Sequence, residues 1–378
     1  MKSKIAILGR GNAGCLSALH FSHYSGIHTN YEVELYYDPN IKPVPTGQGY
    51  QLDTPELLWK TLGIDWVKKF PFTQKTGIMY ENWGKLKDTF FHPFPFGMYS
   101  LHCTPKHFQD FVCDTLKVNF KETSEHIINY DDVDADYIID CRGTPKDFTN
   151  YDKLVNPLNS ALLANLPKKE NDVLFTRCIA TPNGWTFYIP LPDTTSIGYL
   201  YNSAITSRED AEKDFKERFG VEKINHHISF SQYLAKQPIL ENRIFLNGNK
   251  LFFLEPLEAS AMGSYTNANR RYFDVINKIS PPSEAESSVR SYMKKVENFI
   301  LWHYLKGSKY KTSFWGYAQD LANTNLSNSF KNRVEDIINF NENEKKYIRD
   351  AESPELHYGQ WHYMSFQNWI DNVGMENV

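Results

Sequence analysis

The sequence predicts an α/β fold, in which a parallel sheet with crossover helices is interrupted by a β-rich module and followed by a helical C-terminal part. Three observations predict it. The chain opens with "KIAILGRGNAGCLSALHF", where an apolar strand (Ile5 to Leu8) meets a glycine turn and then a helical pattern through Leu16, Leu19 and His20. Later, "DADYIIDCRG" repeats the short apolar strand ending in a turn, while residues 171–203 and 223–254 alternate and are rich in β-branched and aromatic residues. From about Ser283 onward the spacing turns helical, most clearly in "SSVRSYMKKVENFILWHYL".

The first element carries the most chemistry. Gly9, Gly11 and Gly14 are spaced GxGxxG directly after a strand and before a helix. In that context Gly9 permits the tight turn, Gly11 lets a pyrophosphate approach the backbone, and Gly14 lets the helix pack closely on the strand. Asn12 and Ala13 stand at the helix N-terminus, where free N–H groups and the dipole favour phosphate. A second strand, "YEVELYYD", ends at Asp38, near the spacing of roughly 20 residues at which an acid meets the ribose hydroxyls. This unit does not distinguish NAD from FAD. Asp140 and Gly143, closing "DADYIIDCRG", favour FAD, as in flavoproteins of the glutathione-reductase type, although Asp140 reads equally as a plain strand-end acid. Gln48, in the Gly/Pro-rich loop "PTGQGY", completes the candidate cofactor-binding set.

Bulk composition excludes several classes. With 378 residues the chain can bury a large core, and its formal net charge of −4 suggests neither a nucleic-acid nor a membrane surface. Its five cysteines are odd in number and never spaced CxxC, which argues against a disulfide framework or zinc site and for a reducing, cytoplasmic compartment. No secretory signal is visible, and no apolar run approaches the ~20 residues of a membrane span. Histidines cluster in "HFSHYSGIH" and "NHHISF" without a carboxylate or cysteine to complete a metal set, so no metal is expected. Aromatic residues are plentiful (Phe 25, Tyr 23, Trp 8), suiting both a large core and a planar ligand.

The remaining elements follow in order. A short helix is expected from about Thr54, "FFHPFPFGMY" reads as a loop or edge strand, and "CTPKHFQDFVCDTL" as a helix with Pro105 in its first turn. "LFFLEPLEASAMG" reads as a buried strand that stops near Leu254 and carries Glu255 and Glu258 at its C-terminal end, where α/β sheets bind ligands. "ISPPSEAESS" reads as a linker. The expected organisation is an FAD-binding dinucleotide (glutathione-reductase-like) domain over residues 1–280. A substrate module interleaves it at about 46–100 and 150–240, and a helical part covers 281–378.

Four stretches occur in order along the chain: the glycine motif, "QKTGIMYENW" from Gln74, "GWTFYIPL" from Gly184 and "FLEPLEAS" from Phe253. Together the chain resembles the flavin-dependent tryptophan halogenase family, whose GWxWxIP and EPLE signatures are its most specific. The resemblance implies that FADH2, supplied by a separate flavin reductase, works with O2 to convert a halide into hypohalous acid. That oxidant would travel to a lysine and halogenate an electron-rich ring. Lys75 falls on the family's catalytic lysine and Glu258 on its catalytic glutamate, which takes the ring proton or orients the oxidant. Ser260 and Ala261 fall where backbone N–H groups hold the halide. Trp185, Phe187, Ile189 and Pro190 would line the passage, with His92, Phe94 and Phe96 as candidate substrate-wall residues.

The chain departs from the family pattern in places. Phe187 replaces the second tryptophan of GWxWxIP, Ala259-Ser260-Ala261 replaces Ser-Thr-Gly after EPLE, and Cys15 stands where a tryptophan is common. The long segment that tryptophan-acting members carry between "FFHPFPFG" and "YSLHCTPKHF" is nearly absent, and the chain ends earlier than theirs. A more open site is therefore expected, suited to a phenol, an indole or a carrier-bound or peptide substrate rather than free tryptophan. A homodimer is compatible with the sequence. The rival readings are a flavin-dependent monooxygenase of the same fold, which needs no halide, and a catalytically inactive FAD-binding protein.

Overall fold

A computed structural model describes residues 2–27, 31–44, 46–63, 65–116, 118–123, 127–169, 172–344 and 357–375. The chain divides into two compact units that each draw on three segments.

The first unit comprises Met1–Thr73, Ser100–Leu154 and Gln232–Met293. Its centre is the strand Ser3–Leu8, which pairs in parallel with Tyr31–Tyr37 on one side and Tyr137–Asp140 on the other. Asn119–Glu122 and Ile244–Leu246 extend the sheet in parallel, and Ile239–Leu240 closes one edge as a hairpin. Central strands of such a sheet are covered on both faces and read as unbroken apolar runs. Ile5, Ala6, Ile7 and Leu8 are accordingly buried. The helix Asn12–Ile27 returns over the sheet and packs against the helices Asp53–Leu62, Pro105–Thr115 and Ser260–Ile276. Thr104 caps Pro105–Thr115 by accepting the His107 N–H, and Pro105 occupies the first turn as the sequence indicates.

Two expectations are corrected here. "LFFLEPLEASAMG" does not hold a buried strand of the parallel sheet. Its ladder is the two-residue edge strand Phe252–Phe253 of a small antiparallel sheet with Tyr233–Ala235 and Tyr151–Lys153. The turn at Gly248–Lys250 brings Leu251 and Leu254 into the core without ladder pairing, so apolar residues there mark burial and not strand. "ISPPSEAESS" is not a linker either. Pro282 opens the helix Pro282–His303, a position where proline's missing N–H removes nothing the helix uses.

The second unit comprises Gln74–Tyr99, Val155–Ser231 and Lys294–Val378. Its seven-stranded sheet runs in the order His226–Ser229, Ser160–Pro167, Thr194–Tyr201, Gly184–Pro190, Thr176–Thr181, Gly77–Glu81, Thr89–Pro93. All pairings are antiparallel except Thr176–Thr181 with Gly77–Glu81. "FFHPFPFGMY" thus supplies an edge strand, where its prolines remove no ladder bond. One face carries Leu162, Tyr188, Ile197 and Tyr199 against Ala211 and Phe215 of the helix Arg208–Phe219. Trp83 sits in an aromatic cluster with Trp185, Tyr304, Trp315 and Trp369, so the C-terminal helices pack with residues of the sheet.

Candidate functional site

In the first unit the glycine turn is built by close approach. Gly9 has φ +104 and donates its N–H to Tyr36 O at 2.8 Å. A Cβ on Gly14 would fall 1.8 Å from Gly9 O, and one on Gly9 would fall 2.9 Å from Cys141 O. A Cβ on Gly11 would meet nothing within 4 Å. Gly9 and Gly14 are thus required by the fold itself, whereas Gly11 faces open space.

That space belongs to a cleft of about 710 Å³, which Gly9, Gly11, Asn12, Ala13, Asp38, Gln48 and Gly143 help to line. Asn12 Nδ2 donates to Gln48 Oε1 and Asn12 Oδ1 accepts from Gln109 Nε2 at 3.2 Å, tying the helix start to two distant segments. Asp38 is half-buried and accepts the Asn40 N–H at 2.8 Å. Asp140 is wholly buried behind the wall. Its carboxylate accepts from Tyr130 Oη at 2.7 Å and is clasped by Arg142 Nε and Nη2, both at 2.8 Å. It therefore fixes Arg142, a wall residue of the cleft, rather than facing the cleft itself. Open space over Gly11, a polar rim and a helix N-terminus suit the pyrophosphate of a dinucleotide such as FAD.

Sequence reasoning misses Arg10, Gln109, Arg142, Asn249 and Tyr265, all of which line the cleft. Burial pushes the Tyr265 phenol up, so it stays protonated and donates to Asn249 Oδ1 at 3.0 Å. Except for Arg10 and Arg142, which neighbour marked residues, these side chains come from segments with no motif of their own.

Glu258 lies in the same unit, in a strained turn. It has φ 62, and the next residue, Ala259, has φ 52. Left-handed backbone costs a non-glycine residue about 1–2 kcal/mol. Gln51 holds the turn, its Nε2 donating to Glu258 O at 2.8 Å and Ala259 O at 2.9 Å. Ser260 returns to right-handed helix and starts Ser260–Ile276, for which no side chain caps the N-terminus. The step from left-handed Ala259 to right-handed Ser260 turns successive N–H groups to one side, the geometry of an anion nest. The Ser260 Oγ is buried and finds no hydrogen-bond partner among the described residues. An uncapped helix start, a nest and an unpartnered hydroxyl suit a halide, with Ser260 and Ala261 supplying N–H donors. Met262, two residues on, lines the cleft.

In the second unit Lys75 ends the strand Thr73–Lys75 and is only 2% exposed. Its Nζ lies 5.3 Å from the centroid of the Phe94 ring, a cation–π distance. His92 is buried in the edge strand and its Nε2 meets Ser365 Oγ at 3.2 Å. The side chain of Phe96 lies outside the described residues. Trp185, Phe187, Ile189 and Pro190 belong to a strand buried along its whole length. Period-two alternation puts the first three on one face and Pro190 on the other. Phe187 is pressed over its cross-strand partner Gly198, where a Cβ would come within 2.2 Å of the ring. Among the described residues no group of three or more His, Cys, Asp or Glu side chains could hold a metal, and no helix is long and apolar enough to cross a membrane.

The glycine turn, cleft and parallel sheet define an α/β dinucleotide-binding fold of the flavoprotein kind. A model of the tryptophan halogenase family matches residues 4–130 and 128–353. The chain belongs to that family. It is 26% identical over 234 residues to the tryptophan 6-halogenase SttH of Streptomyces toxytricini, an alignment covering 56% of this chain and 44% of the relative. The aligned part thus covers less than half the length of that curated relative. The SttH crystal structure shares the fold with a TM-score of 0.81 at 17% identity, over 100% of this chain and 91% of that one. BrvH, a flavin-dependent halogenase from Brevundimonas sp. BAL3, does so with a TM-score of 0.78 at 15% identity, over 99% and 90%.

Proposed function

We propose that this chain is a flavin-dependent halogenase that takes FAD as FADH2 from a separate flavin reductase and halogenates an electron-rich aromatic ring other than free tryptophan. The observation that carries the reading is Lys75, a lysine buried to 2% exposure and laid over the Phe94 ring at the position of the family's lysine. Lysine is among the residue types least often fully buried.

Bound reduced flavin would supply two electrons to O2, so that one oxygen oxidises halide to hypohalous acid while the other leaves as water. The chain's residues would do the rest. Gly11, Asn12 and the helix start receive the pyrophosphate, and Gln48 and Gln109 hold Asn12 in place. The N–H groups of Ser260 and Ala261, with the Ser260 hydroxyl, hold the halide. Lys75 would hold the oxidant, by hydrogen bond from its ammonium or as a haloamine. Glu258 would take the proton that the ring loses as it regains aromaticity. Trp185, Phe187 and Ile189 form a water-excluding wall, His92 and Phe94 face the substrate, and Glu255 shapes the turn. The short segment after Phe96 leaves room for a phenol, an indole or a carrier-bound ring.

The test is a product screen. Purified protein, FAD and a generic flavin reductase with NADH are offered indoles and phenols with chloride, bromide or iodide, in the presence of catalase. A halogenated product that needs the protein and disappears in Lys75→Ala is expected. A hydroxylated product formed without halide would replace this reading with a monooxygenase.

A further inference from the structure

Two arginines line the cleft of the first unit, and their surroundings leave them different things to offer a ligand. Arg142 stands two residues past the strand Tyr137–Asp140. The wholly buried Asp140 carboxylate accepts from Arg142 Nε and Nη2, and also from the Arg142 backbone N–H at 3.0 Å. Arg142 Nη1 donates to Ile127 O. Three of the five guanidinium N–H groups are thus committed, and a carboxylate already occupies the fork. The Tyr130 ring lies against the group, 5.2 Å from Arg142 Cζ to the ring centroid. Burial, and then the charge of Asp140, push the Tyr130 phenol up, so it stays protonated and donates to the same carboxylate at 2.7 Å. The guanidinium plane is therefore locked at its edges and backed by a ring. Arg10 differs, since among the described residues it commits only Nε, to Cys113 Sγ, and Nη2, to Asp110 Oδ1, which leaves Nη1 as a donor. A phosphate seeks a free fork of N–H groups. Arg10 keeps such donors, whereas Arg142 keeps chiefly a flat face.

The neighbours of Arg142 place it at one end of the cleft. Ile127, which it bonds, lines the cleft with Thr123 and Glu122. The Thr123 N–H donates to Tyr37 O at 2.9 Å, and Tyr37 Oη donates to Glu122 Oε1 at 2.7 Å. Tyr37 leads into Asp38, the acid positioned for ribose hydroxyls. This is the nucleoside end, whereas Met262 belongs to the helix that starts at the Ser260 turn. Beside Arg142, Gly143 carries no side chain, and a Cβ there would meet nothing within 4 Å. The rim beyond Asp38 adds Ile41 and Val44, two exposed apolar side chains that line the same cleft.

We propose that Arg142, held flat by Asp140 and backed by Tyr130, is the stacking surface for the adenine ring of FAD and makes the cleft select FAD over FMN. The inference rests on the cleft taking FAD. A guanidinium plane stacks on flat π-systems, and a purine presents the largest such face in the nucleotide half of the cofactor. Asp140 matches the charge of Arg142 and fixes its orientation, so the ring meets a surface that needs no ordering on binding.

The test measures FAD and FMN affinity by flavin fluorescence in the wild-type chain and in Arg142→Lys, with thermal unfolding of both to verify folding. Lysine keeps a cation for Asp140 but has no plane. FAD affinity should fall roughly tenfold, and FMN affinity should hold, because FMN lacks the adenosine half. Equal losses for the two flavins, or unchanged FAD affinity, would overturn the assignment. A second measurement needs no variant: ADP should displace FAD from the wild-type protein several-fold better than UDP, which carries the same diphosphate on a smaller base. Equal displacement would overturn it as well. A wild-type chain that takes neither flavin would overturn the flavin reading of the cleft and this inference with it, an outcome distinct from losing only the difference between FAD and FMN.

Discussion

Two turns of the first unit each feed a helix N-terminus, and they are built in opposite ways. Gly9 to Gly14 uses glycine where the backbone leaves no room, and its left-handed Gly9 carries no strain. Pro256 to Ser260 instead puts Glu258 and Ala259 into left-handed backbone that glycine would adopt freely. The first turn is a fixed cradle. The second stores strain, held by Gln51, in the segment where the family resemblance locates chemistry. Strained backbone of this kind persists only where its surroundings over-determine it.

The contrast can be broken first at Gly14. An Ala there gains the ordinary helix propensity of about 1 kcal/mol but drives a Cβ into Gly9 O at 1.8 Å. Because that neighbour is backbone, Gly14→Ala should lose more than about 3 kcal/mol, measured by denaturant unfolding. The helix that follows also offers a pH handle. Burial, and then the charges of Arg270 and His23, push His20 down to about 3 from an ordinary value of 6.5. The folded state therefore binds fewer protons than the unfolded one below that ordinary value. Stability is full above about pH 6.5 and falls as the pH drops, by up to about 1.4 kcal/mol per pH unit. His20→Gln should flatten that limb of the stability–pH curve.

At the second turn, Gln51→Ala removes both hydrogen bonds that hold it and should lose about 1–2 kcal/mol, with helix content by circular dichroism unchanged. Ala259→Gly should stabilise by about 0.5–1 kcal/mol, because relief of about 1–2 kcal/mol of left-handed strain exceeds the entropy that glycine adds to the unfolded chain. A destabilised Ala259→Gly would show that the turn is not strained. Gly11→Ala gives the smallest change in stability, within about 0.5 kcal/mol, since its Cβ meets nothing. Its FAD affinity, read by flavin fluorescence, should still fall on the order of tenfold or more, about 1.4 kcal/mol. That result would separate the glycine facing the ligand from those required by the fold.

The difference between the turns also governs what the sequence discloses. A glycine turn is legible because residue type and spacing report the backbone directly, and the strand at Ile5 and the helix from Asn12 follow from it. Nothing in "EPLEAS" announces that Glu258 and Ala259 are left-handed, since that conformation is imposed by Gln51 and the core around Leu257. Four apolar residues in "LFFL" report burial but not pairing partners, so a two-residue edge strand passes for a central one. Pro281-Pro282 reads as a linker because proline both ends and begins helices, and only the helical spacing beyond it decides. The burial of Lys75 under Phe94 has no local signature, and its position stands out only through the family motif.

The strained second turn is expected to present an anion site beside the cleft that takes flavin. The most direct measurement is an anomalous difference map from crystals reconstituted with FAD and soaked in bromide. Bromide is expected at the N–H groups of Ser260 and Ala261, and is lost in a Ser260→Pro variant that still binds FAD. Bromide bound elsewhere in the cleft, with this helix start empty, would contradict it.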